Sequence, residues 1–122
     1  MSAATLPDFR VLIVEDEYLL ADDLARGLRK VGAVVIGPVA SVEAALALIA
    51  SEAGLNGAIL DVNLGGETVY PVADALSAHG VPYIFATGYD VADLLPDYQN
   101  VPRCTKPVNM TALIPFLART AN

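Results

Sequence analysis

The most restrictive feature of this chain is a regular alternation of short apolar segments with longer segments of helical periodicity. The apolar runs predict strands at residues 10–14, 33–36, 57–60, 82–86 and 101–105. Between them, apolar residues that recur every three or four positions predict helices at residues 17–31, after Ser41, at residues 68–79 and after Asn109. Strands that alternate with helices form a parallel sheet covered by helices on both faces. The chain is therefore expected to fold as a doubly wound α/β domain.

The expected domain is flavodoxin-like, a (βα)5 fold with the strand order 2-1-3-4-5, and right-handed crossovers between parallel strands limit the alternatives. Its fourth helix should be shortened, because Pro96 stops the helical segment that follows Asp90 after little more than one turn. Gly65 and Gly66 are expected to form a loop. Pro115 lies too deep in the last helix for its first turn, so we expect a kink or a later start there.

Length, charge and composition argue against several classes of protein. With 122 residues, the chain should form one domain over residues 1–122, without a separate output domain. Its net charge of −7 argues against nucleic-acid binding. No apolar run reaches the roughly 18 residues of a membrane span. The single cysteine, Cys104, and the lack of a secretory signal fit a reducing cytoplasm.

Polar side chains follow four of the predicted strands, at the point where each strand ends. Glu15 and Asp16 follow the first strand, Asp61 the third, Thr87 the fourth and Lys106 the fifth. Ligand sites in open parallel sheets form beyond the carboxyl ends of the strands. We therefore expect three carboxylates, a hydroxyl and an ammonium group to lie at one edge of the sheet.

This set of groups suits a divalent cation and phosphoryl chemistry. Converging carboxylates repel one another unless a cation is bound or some of them are protonated. Oxygen ligands without a nearby histidine or cysteine favour Mg²⁺, Mn²⁺ or Ca²⁺ over zinc. A Mg²⁺ site uses one or two carboxylates, which leaves another free to act as a nucleophile toward phosphorus. Lys106 would neutralise one phosphoryl oxygen and Thr87 would donate a hydrogen bond to another.

At this point the chain resembles a response-regulator receiver domain of two-component signalling. The matching segments are Val11-Leu12-Ile13-Val14-Glu15-Asp16-Glu17, Ile59-Leu60-Asp61-Val62-Asn63-Leu64, Phe85-Ala86-Thr87-Gly88 and Thr105-Lys106-Pro107. The resemblance implies that Asp61 is the phosphoacceptor. It also implies that Glu15 and Asp16 are the acidic pair that holds Mg²⁺, or alternatively Mn²⁺, and that the backbone carbonyl of Asn63 is a further metal ligand.

By the same resemblance, Thr87 is the switch hydroxyl and Lys106 is the lysine that contacts the phosphoryl group. A histidine kinase or a phosphotransfer protein would phosphorylate Asp61, and the change would alter a surface that binds a helical downstream protein. The chain would then be a signalling module that catalyses only its own phosphorylation and dephosphorylation. A phosphoryl sink or relay intermediate, with no downstream partner, is the alternative within this chemistry.

Two positions distinguish the chain from ordinary receivers. The segment Phe85-Ala86-Thr87-Gly88-Tyr89 resembles a subgroup of stand-alone receivers of alphaproteobacterial stress pathways, in which the fourth helix region is often shortened. We hypothesise that the ring of Tyr89 shields the phosphoryl group from water. Arg103 stands where ordinary receivers carry an aromatic switch residue, and we hypothesise that it points outward and pairs with an acidic group on this chain or on a partner.

Other function classes fit the residues less well. A Mg²⁺-dependent phosphatase of the haloacid dehalogenase type needs a carboxylate two residues after its nucleophile, where this chain has Asn63. A flavin-binding protein of the same fold needs a loop rich in serine, threonine and glycine after the first strand, where this chain has residues 15–17, all acidic. Taken singly, Glu15 and Asp16 could cap a helix and Asp61 could be a turn residue. Their joint placement favours the site.

Overall fold

The structure is a computed structural model that describes residues 5–88 and 94–120. Its strands are β1 (Arg10–Val14), β2 (Val34–Val39), β3 (Gly57–Asp61), β4 (Asn63–Leu64), β5 (Glu67–Thr68), β6 (Tyr83–Thr87) and β7 (Arg103–Thr105). Its helices are α1 (Tyr18–Lys30), α2 (Val42–Ser51), α3 (Tyr70–Ala78) and α4 (Met110–Thr120), with a 3₁₀ turn at Pro96–Tyr98.

Five of these strands form one parallel sheet in the order β2-β1-β3-β6-β7. Counted along the chain, they are the five predicted strands, so the predicted order 2-1-3-4-5 is confirmed. Leu12 of β1 pairs with Ala58 of β3, and Ile59 of β3 pairs with Ile84 of β6. The two strands that end in acidic residues, β1 and β3, are therefore direct neighbours at the centre of the sheet.

Alternate residues of the central strands enter two different cores, which is why these strands are apolar throughout. Leu12, Leu60 and Phe85 lie in the core that α2 and α3 cover. Ile13 and Ile59 lie on the opposite face of the sheet, in the core that α1 and α4 cover. A strand buried on both faces has no polar alternation, and its apolar run ends where the chain leaves the sheet.

Two of the predicted helix starts are confirmed by capping hydrogen bonds. The Ser41 hydroxyl accepts a hydrogen bond from the Ala44 N–H at 3.2 Å. The Asn109 side-chain oxygen accepts one from the Thr111 N–H at 2.9 Å. Because Asn109 satisfies the first turn of α4, this helix begins at Met110 and includes Pro115. The alternative of a later start is wrong.

The segment after β3 is more regular than predicted. Gly65 and Gly66 form the predicted loop, and this loop is the turn of a small antiparallel hairpin in which Asn63–Leu64 pairs with Glu67–Thr68. Both glycines have positive φ angles, 58° and 102°, as tight hairpin turns require. The hairpin takes Thr68 into β5, so α3 starts at Tyr70, two residues later than predicted.

The other edge of the sheet also differs in its bounds. The strand predicted at residues 101–105 is shorter, because the Val101 N–H donates to the Tyr98 carbonyl and extends the preceding turn. The shortened fourth helix appears as the 3₁₀ turn, while the predicted helical piece directly after Asp90 falls outside the described residues up to residue 93. Among the helices that are described, none has the length and apolar character to cross a membrane.

Candidate functional site

Three acidic side chains converge where β1 and β3 end. Each of Glu15, Asp16 and Asp61 offers a carboxylate oxygen, and these oxygens lie within 4.8 Å of one another. Glu15 and Asp61 are buried, whereas Asp16 is exposed. Adjacent parallel strands bring residues that are 46 positions apart in the chain to one edge, as the sequence predicted. The site is therefore a deep acidic pair with a third carboxylate at its solvent side.

The Lys106 ammonium group bridges the two buried carboxylates. Its Nζ lies 2.7 Å from Oε1 of Glu15 and 3.0 Å from Oδ2 of Asp61. The backbone N–H of Lys106 donates to the Thr87 carbonyl at 3.0 Å, which continues the β6–β7 ladder beyond its last strand residue. The ladder thus places the lysine at the carboxyl end of the sheet, where its charge balances one of the two buried anions.

The carboxyl group of Asp61 has a pKa well above its ordinary value. Burial raises its pKa to about 7, and the neighbouring Glu15 also raises it, while Lys106 acts in the opposite direction. Burial lowers the pKa of Lys106, but its interactions with Glu15 and Asp61 outweigh this, so the pKa stays above its ordinary value. One cation does not fully neutralise this carboxylate cluster. A further positive charge would stabilise Asp61 as the anion.

A backbone N–H group orients the Asp61 carboxylate at the end of β3. Its Oδ1 accepts a hydrogen bond from the Asn63 N–H at 3.3 Å. The Asn63 backbone is fixed in turn by the β4–β5 hairpin, where Asn63 pairs with Thr68. The hairpin is a part of the site that the sequence prediction missed. The signal that could have found it is Gly65-Gly66 between two short polar and apolar segments, a sequence typical of two-residue hairpins.

An open pocket of about 550 Å³ lies over these groups. It is lined by Asp16, Glu17, Asp61, Asn63, Gly65, Gly66, Gly88 and Lys106. A β-carbon added at Gly65 would lie 3.4 Å from Oδ2 of Asp16, so the hairpin turn passes close to the exposed carboxylate. None of the four lining residues Glu17, Gly65, Gly66 and Gly88 was among the site residues that were predicted from the sequence. The pocket gives a small polar ligand direct access to Asp61 from solvent.

Three further residues, Thr87, Arg103 and Tyr89, were also predicted from the sequence to have a role at the site or beside it. Thr87 is buried at the end of β6, one register position beyond the Asp61–Ala86 pair. Arg103 lies at the start of β7, and its guanidinium donates to the Gln99 carbonyl at 3.0 Å. Within residues 5–88 and 94–120 no ion pair of Arg103 with a carboxylate is found, and its acidic partner stays a prediction. Tyr89 lies outside the described residues.

An aromatic cluster packs behind the site on the α3 side of the sheet. Phe85 is buried, and its ring lies 6.3 Å from that of Tyr70 and 5.6 Å from that of Tyr83. Tyr98, from the 3₁₀ turn, stacks on Tyr70 at 4.3 Å and donates its hydroxyl to Asp74 at 2.7 Å. This hydrogen bond, together with burial, raises the pKa of Tyr98 to about 12. The cluster anchors the turn before β7 to α3.

Comparison with solved structures gives whole-length matches. The solution structure of SdrG from Sphingomonas melonis Fr1 is 38% identical, with a TM-score of 0.77 over 98% of this chain and 99% of that chain. The BeF3-activated conformation of SdrG from Pseudomonas melonis Fr1 is also 38% identical, with a TM-score of 0.78 over 100% of both chains. A response regulator receiver domain (CheY-like) from Methylobacillus flagellatus shares the fold at 22% identity, with a TM-score of 0.80. It is matched over 93% of this chain and 98% of its own. No protein-family model and no curated protein matches the sequence.

Proposed function

Because this chain belongs to the response-regulator receiver domains, we propose that Asp61 accepts a phosphoryl group and that its phosphorylation alters a protein-binding surface. The donor is a histidine kinase or a phosphotransfer protein. The observation that carries this proposal is the position of Lys106, which reaches both buried carboxylates at 2.7 and 3.0 Å beside an open pocket. A nucleophile, a fixed cation and solvent access are the requirements of phosphoryl transfer to a carboxylate.

In the proposed reaction, a carboxylate oxygen of Asp61 attacks the phosphorus atom of a phosphohistidine. The new P–O bond forms as the P–N bond breaks, and the histidine nitrogen leaves with the electron pair and takes up a proton from solvent. Lys106 holds one phosphoryl oxygen by its charge, and the Thr87 hydroxyl donates to another. The Asn63 N–H, already 3.3 Å from Oδ1 of Asp61, keeps the carboxylate oriented during attack.

The acidic residues fit a divalent cation, for which we propose Mg²⁺, with Mn²⁺ as a substitute. The three carboxylates of Glu15, Asp16 and Asp61 lie within 4.8 Å of one another and offer only hard oxygen ligands. Burial raises the pKa of Asp61 and the neighbouring Glu15 raises it further, so a cation beside them would stabilise the deprotonated carboxylate. The proposed ligands are Glu15, Asp16, Asp61 and the backbone carbonyl of Asn63. A bound cation would neutralise this cluster and the incoming phosphoryl oxygens.

Phosphorylation would change the surface around the 3₁₀ turn, β7 and α4. Thr87 pairs with Thr105 of β7, and Lys106 directly follows this strand. A displacement of Thr87 or of Lys106 would therefore act on β7. Phe85 lies two residues before Thr87 and contacts the ring of Tyr98, which belongs to the 3₁₀ turn. A partner that prefers the phosphorylated arrangement would bind more tightly by the free energy that separates its affinities for the two states.

The proposal is tested by incubating the protein with a small phosphodonor and Mg²⁺ and measuring its intact mass. The expected result is a mass increase of one phosphoryl group, lost in Asp61→Asn and greatly reduced when Mg²⁺ is chelated. Asp97→Asn is the matched control, because Asp97 is an exposed aspartate in the 3₁₀ turn, away from the pocket lining. Phosphorylation of Asp61→Asn at the wild-type rate would refute the assignment.

A further inference from the structure

The β4–β5 hairpin beside the acidic pocket is attached to helix α2 by a side-chain hydrogen bond. Oε2 of Glu67 accepts this bond from the Val42 N–H at 3.3 Å. Val42 is the first residue of α2, and the N–H groups of the first turn have no acceptor within a helix. The Glu67 carboxylate also lies at the positive end of the α2 dipole, which favours its negative charge. The bond spans 25 positions of the chain and so joins two separate elements.

The hairpin is a small element, and its position depends on where its two strands are attached. Each strand has two residues, and an isolated two-stranded hairpin is only marginally stable in water. Leu64 of β4 is buried in the core that α2 and α3 cover, and it pairs directly with Glu67 of β5. Side chains of directly paired residues lie on one face of a hairpin. Leu64 therefore fixes β4, and Glu67 fixes β5, toward the same layer of helices.

The bond to α2 completes a circuit of hydrogen bonds around the acidic site. The Glu15 N–H donates to the Val39 carbonyl at 2.9 Å, which ties the end of β1 to the end of β2. Helix α2 begins three residues after β2 ends. Glu67 connects α2 to the hairpin, and the Asn63 N–H connects the hairpin to Oδ1 of Asp61 at 3.3 Å. The segments that carry Glu15 and Asp61 are thus joined through α2 as well as through the sheet.

We propose that Glu67 is a positioning residue, which braces the hairpin against α2 and thereby fixes Asn63 beside Asp61. The Asn63 N–H orients the Asp61 carboxylate, and its carbonyl is a proposed metal ligand, so a displaced hairpin would disturb both contacts. The consequence for the metal rests on the proposed function, whereas the brace itself is a property of the fold. Glu67 is exposed and is not among the residues that line the acidic pocket, so it acts through the backbone.

The first measurement tests the brace without metal. Amide hydrogen exchange of the full chain is followed by NMR in Mg²⁺-free buffer, at Val42 and at Asn63. We expect Glu67→Ala to accelerate exchange at both amides about fivefold, because local opening of the hairpin no longer breaks the bond to α2. Glu67→Gln keeps an oxygen that can accept the bond, so its exchange rates should stay within about twofold of wild type. Glu67 is exposed, so both variants are expected to fold.

The second measurement tests the consequence for the site. Calorimetric titration with Mg²⁺ should show about threefold weaker binding in Glu67→Ala and about wild-type affinity in Glu67→Gln. The control Glu43→Ala removes a carboxylate from the same first turn of α2 and should change Mg²⁺ affinity by less than about twofold. The control Ser41→Ala removes the other cap of α2, the bond from the Ala44 N–H. It should lower the melting temperature but leave exchange at Asn63 unchanged.

Unchanged exchange at Asn63 in Glu67→Ala would overturn the inference. An equal acceleration in Ser41→Ala would assign the effect to a general loosening of α2, and equal losses in Glu67→Gln and Glu67→Ala would assign it to charge. Faster exchange with unaltered Mg²⁺ affinity would overturn the role of Glu67 in positioning the site.

Phosphorylation of Asp61, followed by intact mass on the same samples, separates this inference from the proposed function. If the wild type neither binds Mg²⁺ nor accepts a phosphoryl group, while exchange at Asn63 still depends on Glu67, the proposed function fails and the brace stands. If Asp61 is phosphorylated but exchange at Asn63 does not depend on Glu67, the proposed function stands and the brace fails.

Discussion

The ammonium group of Lys106 lies closer to Glu15 than to Asp61, at 2.7 Å and 3.0 Å. Glu15 therefore holds the lysine in place while Asp61, the proposed nucleophile, shares its charge. Lys106 is only 13% exposed and Glu15 only 2%, so this pair is poorly screened by solvent. Removing the lysine would leave two buried anions facing each other.

We predict that Lys106→Met destabilises the Mg²⁺-free protein at pH 8 by about 2 kcal/mol, because two buried carboxylates lose their cation. Urea unfolding measures this change. Adding Mg²⁺ should recover part of the loss, since the cation replaces the missing charge. Lys30→Met, at the exposed end of α1, is the control and should change stability by less than about 0.5 kcal/mol. Equal stability of Lys106→Met and wild type would show that the pair contributes nothing.

The raised pKa of Asp61 predicts how pH changes the effect of Mg²⁺. Its value of about 7 exceeds the ordinary 3.8, so the carboxyl group contributes stability that is complete below pH about 4 and is lost as pH rises through 7. A cation binds the deprotonated form and opposes that loss. The increase in melting temperature on adding Mg²⁺ should therefore be larger at pH 8 than at pH 5.

Asp61→Asn provides the control for this pH dependence, because its amide does not titrate. In that variant the difference between the Mg²⁺ effects at pH 8 and at pH 5 should shrink. If wild type and Asp61→Asn respond to Mg²⁺ identically at both pH values, then another group governs metal binding.

The hairpin turn offers a test of backbone placement at the site. Gly65 and Gly80 both have positive φ angles, 58° and 70°, so alanine at either position should cost about 1 kcal/mol. Only Gly65 lies against the site, where an added β-carbon would be 3.4 Å from Oδ2 of Asp16, whereas Gly80 has open space. We expect both variants to unfold at lower urea concentration, but only Gly65→Ala to bind Mg²⁺ more weakly in calorimetric titration. An equal Mg²⁺ affinity in the two variants would contradict this role for the turn.

The Tyr98–Asp74 hydrogen bond predicts one tyrosine that ionises late. The pKa of Tyr98 is about 12, above the ordinary 10, because Asp74 accepts a hydrogen bond from its hydroxyl and burial disfavours the anion. The bond thus contributes stability below pH 10 that is lost as pH rises through 12. Ultraviolet titration should show a tyrosine component that ionises near pH 12, and Asp74→Asn should lower the pKa of this component. Loss of the late component in Tyr98→Phe would identify it, and its persistence there would refute the assignment.

The parts of the protein that could be predicted from sequence are those that local patterns encode. Apolar runs buried on both faces identified β1 and β3, and the polar residues Glu15, Asp16 and Asp61 mark where those strands leave the core. Ser41 and Asn109 were recognisable as helix caps because a cap is a contact between residues two or three positions apart. Strand order followed because right-handed crossovers allow few alternatives.

Contacts between residues that are far apart in the chain could be seen only in the tertiary structure. No sequence pattern shows that Lys106 would bridge Glu15 and Asp61, since that contact depends on how far β7 extends beside β6. The turn at Gly65 and Gly66 was visible, but its pairing as a hairpin against Asp16 depends on where β3 ends. Arg103 and Arg119 are 16 positions apart in the chain and line one cavity only because α4 packs beside β7. Periodicity reports which face of an element is buried, whereas the groups that meet across elements depend on the packing of the whole chain.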